Sequence, residues 1–292
     1  MDAIMAIRLK RRGNSPILYK KERTMPELPE VETFKKYFDG TSLNQQIERV
    51  EVSDDKIIRN LNGDEFVHKL TGRTFVDSYR RGKYLFARLD NDEHLLFHFG
   101  MTGDLNYYEL DADRTKHERF VFYFNNHQRL GFDCPRKFAR INYIENLETY
   151  IAKVKLGPDA LEISWSEFIA ATKNKKGSFK GFLLNQKILA GVGNLYADEV
   201  CYQTRIHPAS QVSAIPNKKL KAAFEAMQNI LNKAIERSAY YKEYPENWFW
   251  EWRKEGTKSP DGKVAVAWEK IGGRTTYFFP KYQRLYLLGM RY

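Results

Sequence analysis

Cysteine is scarce: Cys134 and Cys201 are the only two in 292 residues. That excludes a disulfide framework and any four-cysteine zinc site, and it points to a reducing compartment. Long apolar runs are missing as well. Stretches such as Leu95 to Phe97 are far shorter than the ~20 residues of a membrane-spanning helix, so membrane integration is excluded. There is no internal repeat and no low-complexity segment. Acidic residues are in deficit, 37 against 48 Lys and Arg, giving a net charge of +11 and a pI near 9.4. The expected partner is therefore anionic, with nucleic acid first. An anionic membrane surface comes second, because no long basic amphipathic helix lies near a terminus. With 42% hydrophobic and 29% charged residues, the composition is that of a soluble globular chain of about two domains.

The charge is uneven. Residues 1–24 hold seven Lys or Arg and two acids, and Arg8, Lys10, Arg11 and Arg12 interrupt any signal-peptide apolar stretch. Residues 1–25 are read as an extension outside the mature chain, with Met25 as the alternative start. After it, Leu28, Val31, Phe34 and Phe38 space one apolar stripe along a short helix that Gly40 can end, with Glu27, Glu30 and Glu32 near its positive terminus. Short aromatic and β-branched segments follow: Ile47 to Val52, Arg73 to Ser78, Tyr84 to Leu89, His94 to Phe99, Arg119 to Phe124 and Arg129 to Asp133. Turn residues separate them, which predicts an antiparallel sandwich or barrel over residues 26–150. From Ile151 the spacing turns helical, in Trp165 to Thr172, Phe179 to Lys187, Leu195 to Thr204 and Lys218 to Tyr240. That region is taken as 151–245. Residues 246–292, with two strands predicted near Val264 to Trp268 and Thr275 to Phe279, suit a small hairpin module.

If the mature chain begins at Pro26, its nitrogen is a secondary amine rather than an amide. An α-amino group has a pKa of roughly 8, so part of it is neutral near pH 7 and nucleophilic. It can attack an electrophilic sugar carbon if a carboxyl group moves protons, and Glu27 is adjacent. Pro26 and Pro29 would equally serve as helix starters.

The string Pro26-Glu27-Leu28-Pro29-Glu30-Val31-Glu32 resembles the amino terminus of the formamidopyrimidine-DNA glycosylase and endonuclease VIII family. Further blocks resemble it in order: Arg80-Arg81-Gly82-Lys83-Tyr84-Leu85, His98-Phe99-Gly100-Met101-Thr102-Gly103, Pro135-Arg136-Lys137-Phe138, Leu156 to Leu161, Lys187 to Pro208 around Gly191-Val192-Gly193-Asn194, and Gly273-Arg274-Thr275-Thr276-Tyr277-Phe278. Each is weak alone, but together they span nearly all of Met25 to Gln283.

The resemblance implies an α+β multidomain fold. An N-terminal helix and β-sandwich would be followed by a helical helix-two-turn-helix domain and a C-terminal β-hairpin finger, with DNA across a cleft between the large parts. It implies a bifunctional DNA glycosylase and AP lyase of base-excision repair. Pro26 would be the nucleophile, Glu27 the proton donor and acceptor, and Glu30 a supporting residue. Lys83, Asn194 and Arg274 would bind phosphates, Lys83 and Arg274 counting with Pro26 and Glu27 among the catalytic residues, and Lys180 would face the damaged nucleotide. Met101, Arg136 and Phe138 resemble the residues that fill the gap left by the extruded nucleotide, a set of the formamidopyrimidine type, which implies oxidised purines such as 8-oxoguanine and formamidopyrimidines. The implied protein is a cytoplasmic monomer acting on damaged double-stranded DNA, needing no cofactor and no metal. Two alternatives stand beside it: an endonuclease VIII-like preference for oxidised pyrimidines, and an inactive lesion-binding protein if residues 1–25 stay attached.

The chain departs from the family pattern in four places. Phe279 and Tyr282 stand where two zinc-binding cysteines are usual, which predicts a zincless finger packed by aromatic rings. Cys134 replaces an Asp, and Lys137 replaces an Arg and loses its bidentate fork. Residues 239–262, where a lesion-covering loop is usual, match poorly and are rich in Trp and charge. The extension would keep the Pro26 nitrogen an unreactive tertiary amide.

Overall fold

The computed structural model describes residues 6–7, 19–20 and 26–289. Of the expected extension, 1–25, only two short antiparallel strands are described, β1 (Ala6–Ile7) and β2 (Tyr19–Lys20). The remainder of it lies outside the described residues. The chain forms two compact units, residues 1–154 with 238–240 and residues 155–237 with 241–292.

In the first unit, helix α1 (Leu28–Ser42) starts at an extended Glu27 in the N-cap position, with Pro29 in the first turn. A proline is tolerated there because the N–H it lacks would have had no helical partner. The Glu30 carboxylate accepts the Glu27 backbone N–H at 2.9 Å, which closes the helix start. The stripe of Leu28, Val31, Phe34 and Phe38 is buried as its spacing predicts. Gly40 does not end the helix. The Thr41 hydroxyl donates to the Tyr37 carbonyl at 2.8 Å, and termination falls at extended Leu43 and at Asn44, whose φ is 60°.

Two four-stranded antiparallel sheets pack on this helix. One has the order β10 (Arg140–Ile144), β6 (His94–His98), β5 (Tyr84–Leu89), β4 (Phe75–Arg81), and the other β3 (Ile47–Val52), β8 (Glu118–Phe124), β9 (Gln128–Asp133), β7 (Asp104–Glu109). Alternate residues from both sheets share one core: Leu85, Ala87, Leu95 and Phe97 from the first, and Phe120, Phe122, Leu130 and Phe132 from the second. The opposite face of the first sheet buries Phe86, Leu96 and Ile144. Helices α2 (Gly63–Leu70) and α3 (Leu147–Val154) complete the unit, and α2 adds Phe66 and Leu70 to the core.

The second unit holds α4 (Trp165–Thr172), α5 (Phe179–Leu184), α6 (Asn194–Gln203), α7 (Asn217–Glu236) and the hairpin β11 (Ala267–Ile271) with β12 (Arg274–Phe278). Ser164 and Ser178 cap α4 and α5 through their hydroxyls. Helix α5 stops at Leu184, three residues short of the predicted end, because Asn185 is extended. Residues 239–262 contain two 3₁₀ turns, Tyr241–Glu243 and Phe249–Trp252. No described helix is long and apolar enough to cross a membrane.

Phe122 is fully buried between the rings of Phe66, Phe75, Phe120 and Phe124. Phe122→Ala is expected to lower unfolding free energy by about 3–5 kcal/mol, read from the urea midpoint at unchanged m-value.

Candidate active site

Helix α1 organises the functional groups of the first unit. Pro26 and Glu27 precede it, and Glu27 is 4% exposed in the full-length chain. Since Glu30 holds the Glu27 N–H, it fixes the orientation of the Pro26–Glu27 peptide. Lys83 lies at the tip of the β4–β5 hairpin, where Arg81 pairs with Tyr84 and Gly82 takes a φ of 58°, as a two-residue turn requires. Arg80, which opens the block that resembles the family around Lys83, is internal. Its Nε lies 2.7 Å from Glu32 of α1 and its Nη1 donates to the Gly82 carbonyl at 3.1 Å. One guanidinium thereby ties the Lys83 turn to the Pro26 helix.

The turn after β6 carries Met101, which is half-buried. Phe99 anchors this turn to α1 by stacking on Phe34 with centroids 4.1 Å apart. Gly100 has a φ of +64°, and a Cβ there would lie 2.4 Å from the Phe138 carbonyl carbon and oxygen, so the turn touches the backbone of the 134–139 loop. The Arg136 N–H also donates to the Thr102 hydroxyl at 3.3 Å. Met101, Arg136 and Phe138 are thus carried on two segments in direct contact. Phe138 is 52% exposed, an unusual state for a large apolar ring, and the Arg136 guanidinium sits 5.2 Å from its centroid.

The 134–139 loop is held by groups that the sequence does not single out. Arg119 donates to the carbonyls of Cys134 (2.9 Å) and Pro135 (3.3 Å) and lies 3.4 Å from Asp54. Lys137, in the left-handed region at φ 55°, forms a close ion pair with the same Asp54. The Lys137 ammonium, helped by the Lys56 N–H and Arg119, holds the Asp54 carboxyl below its ordinary range against the opposing effect of burial. Lys137 therefore acts inside the loop's own scaffold. Cys134 is buried in the sandwich core.

In the second unit, Gly193 is the N-cap of α6 and supplies no side-chain cap, so Asn194 opens the helix rather than capping it. The Asn194 Nδ2 donates to the Thr275 carbonyl at 3.2 Å. Gln186 braces the preceding turn, accepting from Gly191 and donating to Val192, both at 2.9 Å. Arg274 follows the Gly272-Gly273 turn and is exposed. Both glycines have positive φ, 59° and 75°, and a Cβ on Gly272 would lie 3.0 Å from Gly181 Cα, so the turn sits directly on α5.

Lys180 is not where the resemblance implies. It is wholly buried, its Nζ 2.5 Å from Asp198 and 2.8 Å from the Thr276 hydroxyl, and it presents no surface to a nucleotide. Phe279 and Tyr282, at the expected cysteine positions, pack with Tyr202, Phe249 and Trp252; Phe279 is fully buried with its ring centroid 5.3 Å from that of Phe249. Among the described residues no group of three or more His, Cys, Asp or Glu could hold a metal ion.

Two family models match the chain: the formamidopyrimidine-DNA glycosylase N-terminal domain over residues 25–141, and the formamidopyrimidine-DNA glycosylase H2TH domain over residues 156–243. A formamidopyrimidine-DNA glycosylase of Arabidopsis thaliana is 32% identical over 280 residues, covering 90% of this chain and 72% of that protein. One from Heliobacterium modesticaldum is 30% identical over 277 residues, covering 89% and 100% respectively. Among solved structures, the Lactococcus lactis Fpg (MutM) in complex with a FAPY-dG containing DNA aligns with a TM-score of 0.79 at 27% identity, over 88% of this chain and all of that one.

Gly100→Ala must displace the Phe138 backbone and hold a side chain at positive φ. We expect it to destabilise the protein by about 2 kcal/mol in urea titrations. His98 next to this turn has its pKa pushed down to about 4, first by burial and then by Arg140 and Lys83. Between about 6.5 and about 4 the unfolded chain takes up a proton that the folded chain does not. Stability from this group is therefore full above that window and falls as pH drops through it, and the urea midpoint of a His98→Asn variant should change less between pH 7 and pH 5 than that of the parent.

Proposed function

The chain belongs to the formamidopyrimidine-DNA glycosylase family, and on that footing we propose that it excises oxidised purines from double-stranded DNA and then cuts the strand as an AP lyase. The observation that carries this reading is the start of α1: a proline nitrogen next to a buried glutamate, on a peptide oriented by Glu30, at the first residues matched by the family's N-terminal domain.

The chemistry needs Pro26 as the first residue, so that its nitrogen is a secondary amine. That amine attacks the sugar carbon C1′ of the extruded nucleotide, forming a C–N bond as the bond to the damaged base breaks, and Glu27 supplies and removes the protons. Opening of the sugar ring at the C1′–O4′ bond, with a proton passed to O4′, turns this adduct into an iminium, which makes the C2′ hydrogens acidic. Loss of one expels the 3′ phosphate, a second elimination expels the 5′ phosphate, and water then hydrolyses the C1′–N bond to release the sugar remnant and restore the Pro26 amine.

Met101, Arg136 and Phe138 suit the duplex side of the reaction. Extrusion costs a few kcal/mol of stacking, and a flexible thioether, a guanidinium and an exposed ring can fill the vacancy and meet the orphaned base. Lys83, Asn194 and Arg274 would take phosphates, and the net charge of +6 that remains from Pro26 onward (+11 less the +5 of residues 1–24) supports a binding free energy rich in counterion release. No step calls for a metal or a cofactor, and the enzyme is read as a cytoplasmic monomer.

Borohydride trapping on duplexes containing 8-oxoguanine or thymine glycol tests the proposal, using chains that begin at Met1 and at Pro26. The Pro26 chain should give a covalent protein–DNA adduct, preferentially with 8-oxoguanine, and the Met1 chain none. Glu27→Gln in the Pro26 chain should slow base release at least ~100-fold. A Pro26 chain that neither crosslinks to nor nicks either duplex overturns the reading.

A further inference from the structure

Beneath the hairpin lies a charge cluster that the reaction above does not use. Lys180 on α5 and Asp198 on α6 are each 0% exposed, and Arg253 closes the cluster from the edge with its side chain 17% exposed. The Asp198 carboxylate is shared: one oxygen faces the Lys180 ammonium at 2.5 Å, and the other faces Arg253 Nε at 3.0 Å and the Tyr277 N–H of β12 at 3.4 Å. The remaining Lys180 donors go to β12 as well, to the Thr276 hydroxyl at 2.8 Å and the Thr275 carbonyl at 3.5 Å. The ammonium is fully buried among these three groups and presents no surface to a phosphate. Asn194 donates to the same Thr275 carbonyl, and the Thr276 hydroxyl donates to the Arg274 carbonyl at 3.0 Å.

We infer that Lys180, Asp198 and Arg253 form a buried ionic tether that positions the hairpin, so that Arg274 is presented to the DNA backbone in a fixed place; Lys180 is a positioning residue and not a DNA contact. A two-stranded hairpin is at best marginal alone, and β12 is pinned at three consecutive residues immediately after Arg274. Apolar packing could hold the strand without direction. Charges buried at the cost of desolvation are held by fixed, short contacts, which is what placing one guanidinium requires. The tether rests on the DNA-binding reading proposed above.

The test is equilibrium binding of the full chain to a duplex carrying a tetrahydrofuran abasic analogue, measured as log Kd against log salt for the parent, Asp198→Asn, Lys180→Met, Arg274→Ala and the two double variants with Arg274→Ala. One lost phosphate contact flattens the slope by about 0.9. The tether predicts that each single variant flattens the slope by that amount, and that neither double variant flattens it further. Additive slopes in the Lys180→Met double variant would make Lys180 a DNA contact and overturn the proposal. A lower melting temperature with an unchanged slope would reduce the cluster to fold stability and overturn it too. Thr276→Val, which is near-isosteric and removes the hydroxyl that joins Lys180 to the Arg274 carbonyl, gives the same reading if the charge variants do not fold: the tether predicts about tenfold weaker binding for it, lost in an Arg274→Ala background. If the parent itself fails to bind the duplex, the functional reading fails; if the parent binds and the cycles are additive, only the tether does.

Discussion

Phe34 stacked on Phe99 and Glu32 paired with Arg80 join α1 to two different turns of the sandwich, one bearing Met101 and the other Lys83. Both joints lie within about two helical turns of Glu27. The first unit's separate candidate groups therefore have a common mechanical reference, the start of one 15-residue helix. The apolar joint depends on ring area removed from water and the polar one on a pair of charges with little solvent around it, so the two respond differently to salt and temperature. The Arg136 and Phe138 loop joins the same frame through the bare backbone of Gly100, where no side chain fits.

The second unit solves a different problem. Its hairpin, two five-residue strands that carry the exposed Arg274, must keep its place against the helices. It does so through backbone against backbone where Gly272 meets Gly181, through aromatic packing around Phe279, and through polar links from Lys180, Asn194 and Asp198 to β12. None of these contacts involves residues adjacent in sequence, which accounts for the dispersal of the region's charged and aromatic residues along the chain.

Much of this could be read in the sequence where a physical period was strong. Phe120, Phe122 and Phe124 alternate, and the predicted strand is β8 within one residue; the stripe from Leu28 to Phe38 is the buried face of α1. Other elements left no such trace. Strand β7 buries the polar Asp104 and Asn106 alongside Leu105, which hides its alternation, and α2 turns only Phe66 and Leu70 fully inward over eight residues. The site divides in the same way. Residues in short local motifs, such as Pro26, Glu27 and Met101, were visible, whereas Glu32, Asp54, Arg119 and Arg253 act through partners dozens of residues away. Lys180 was misplaced because a lone lysine on a helix is ordinarily solvated. The available signal was Lys180 itself, a lone charge set between Phe179 and the apolar Gly181-Phe182-Leu183-Leu184.

Both thiols of the chain, Cys134 and Cys201, are sequestered in the interior. Burial, and then the nearby Asp198, push the Cys201 thiol far up against the opposing effect of Lys180, so it stays protonated and poorly nucleophilic. The peroxides and radicals that oxidise bases also attack exposed thiolates. This chain exposes no sulfhydryl to them, and its hairpin is braced by rings and ion pairs that thiol oxidation cannot unmake.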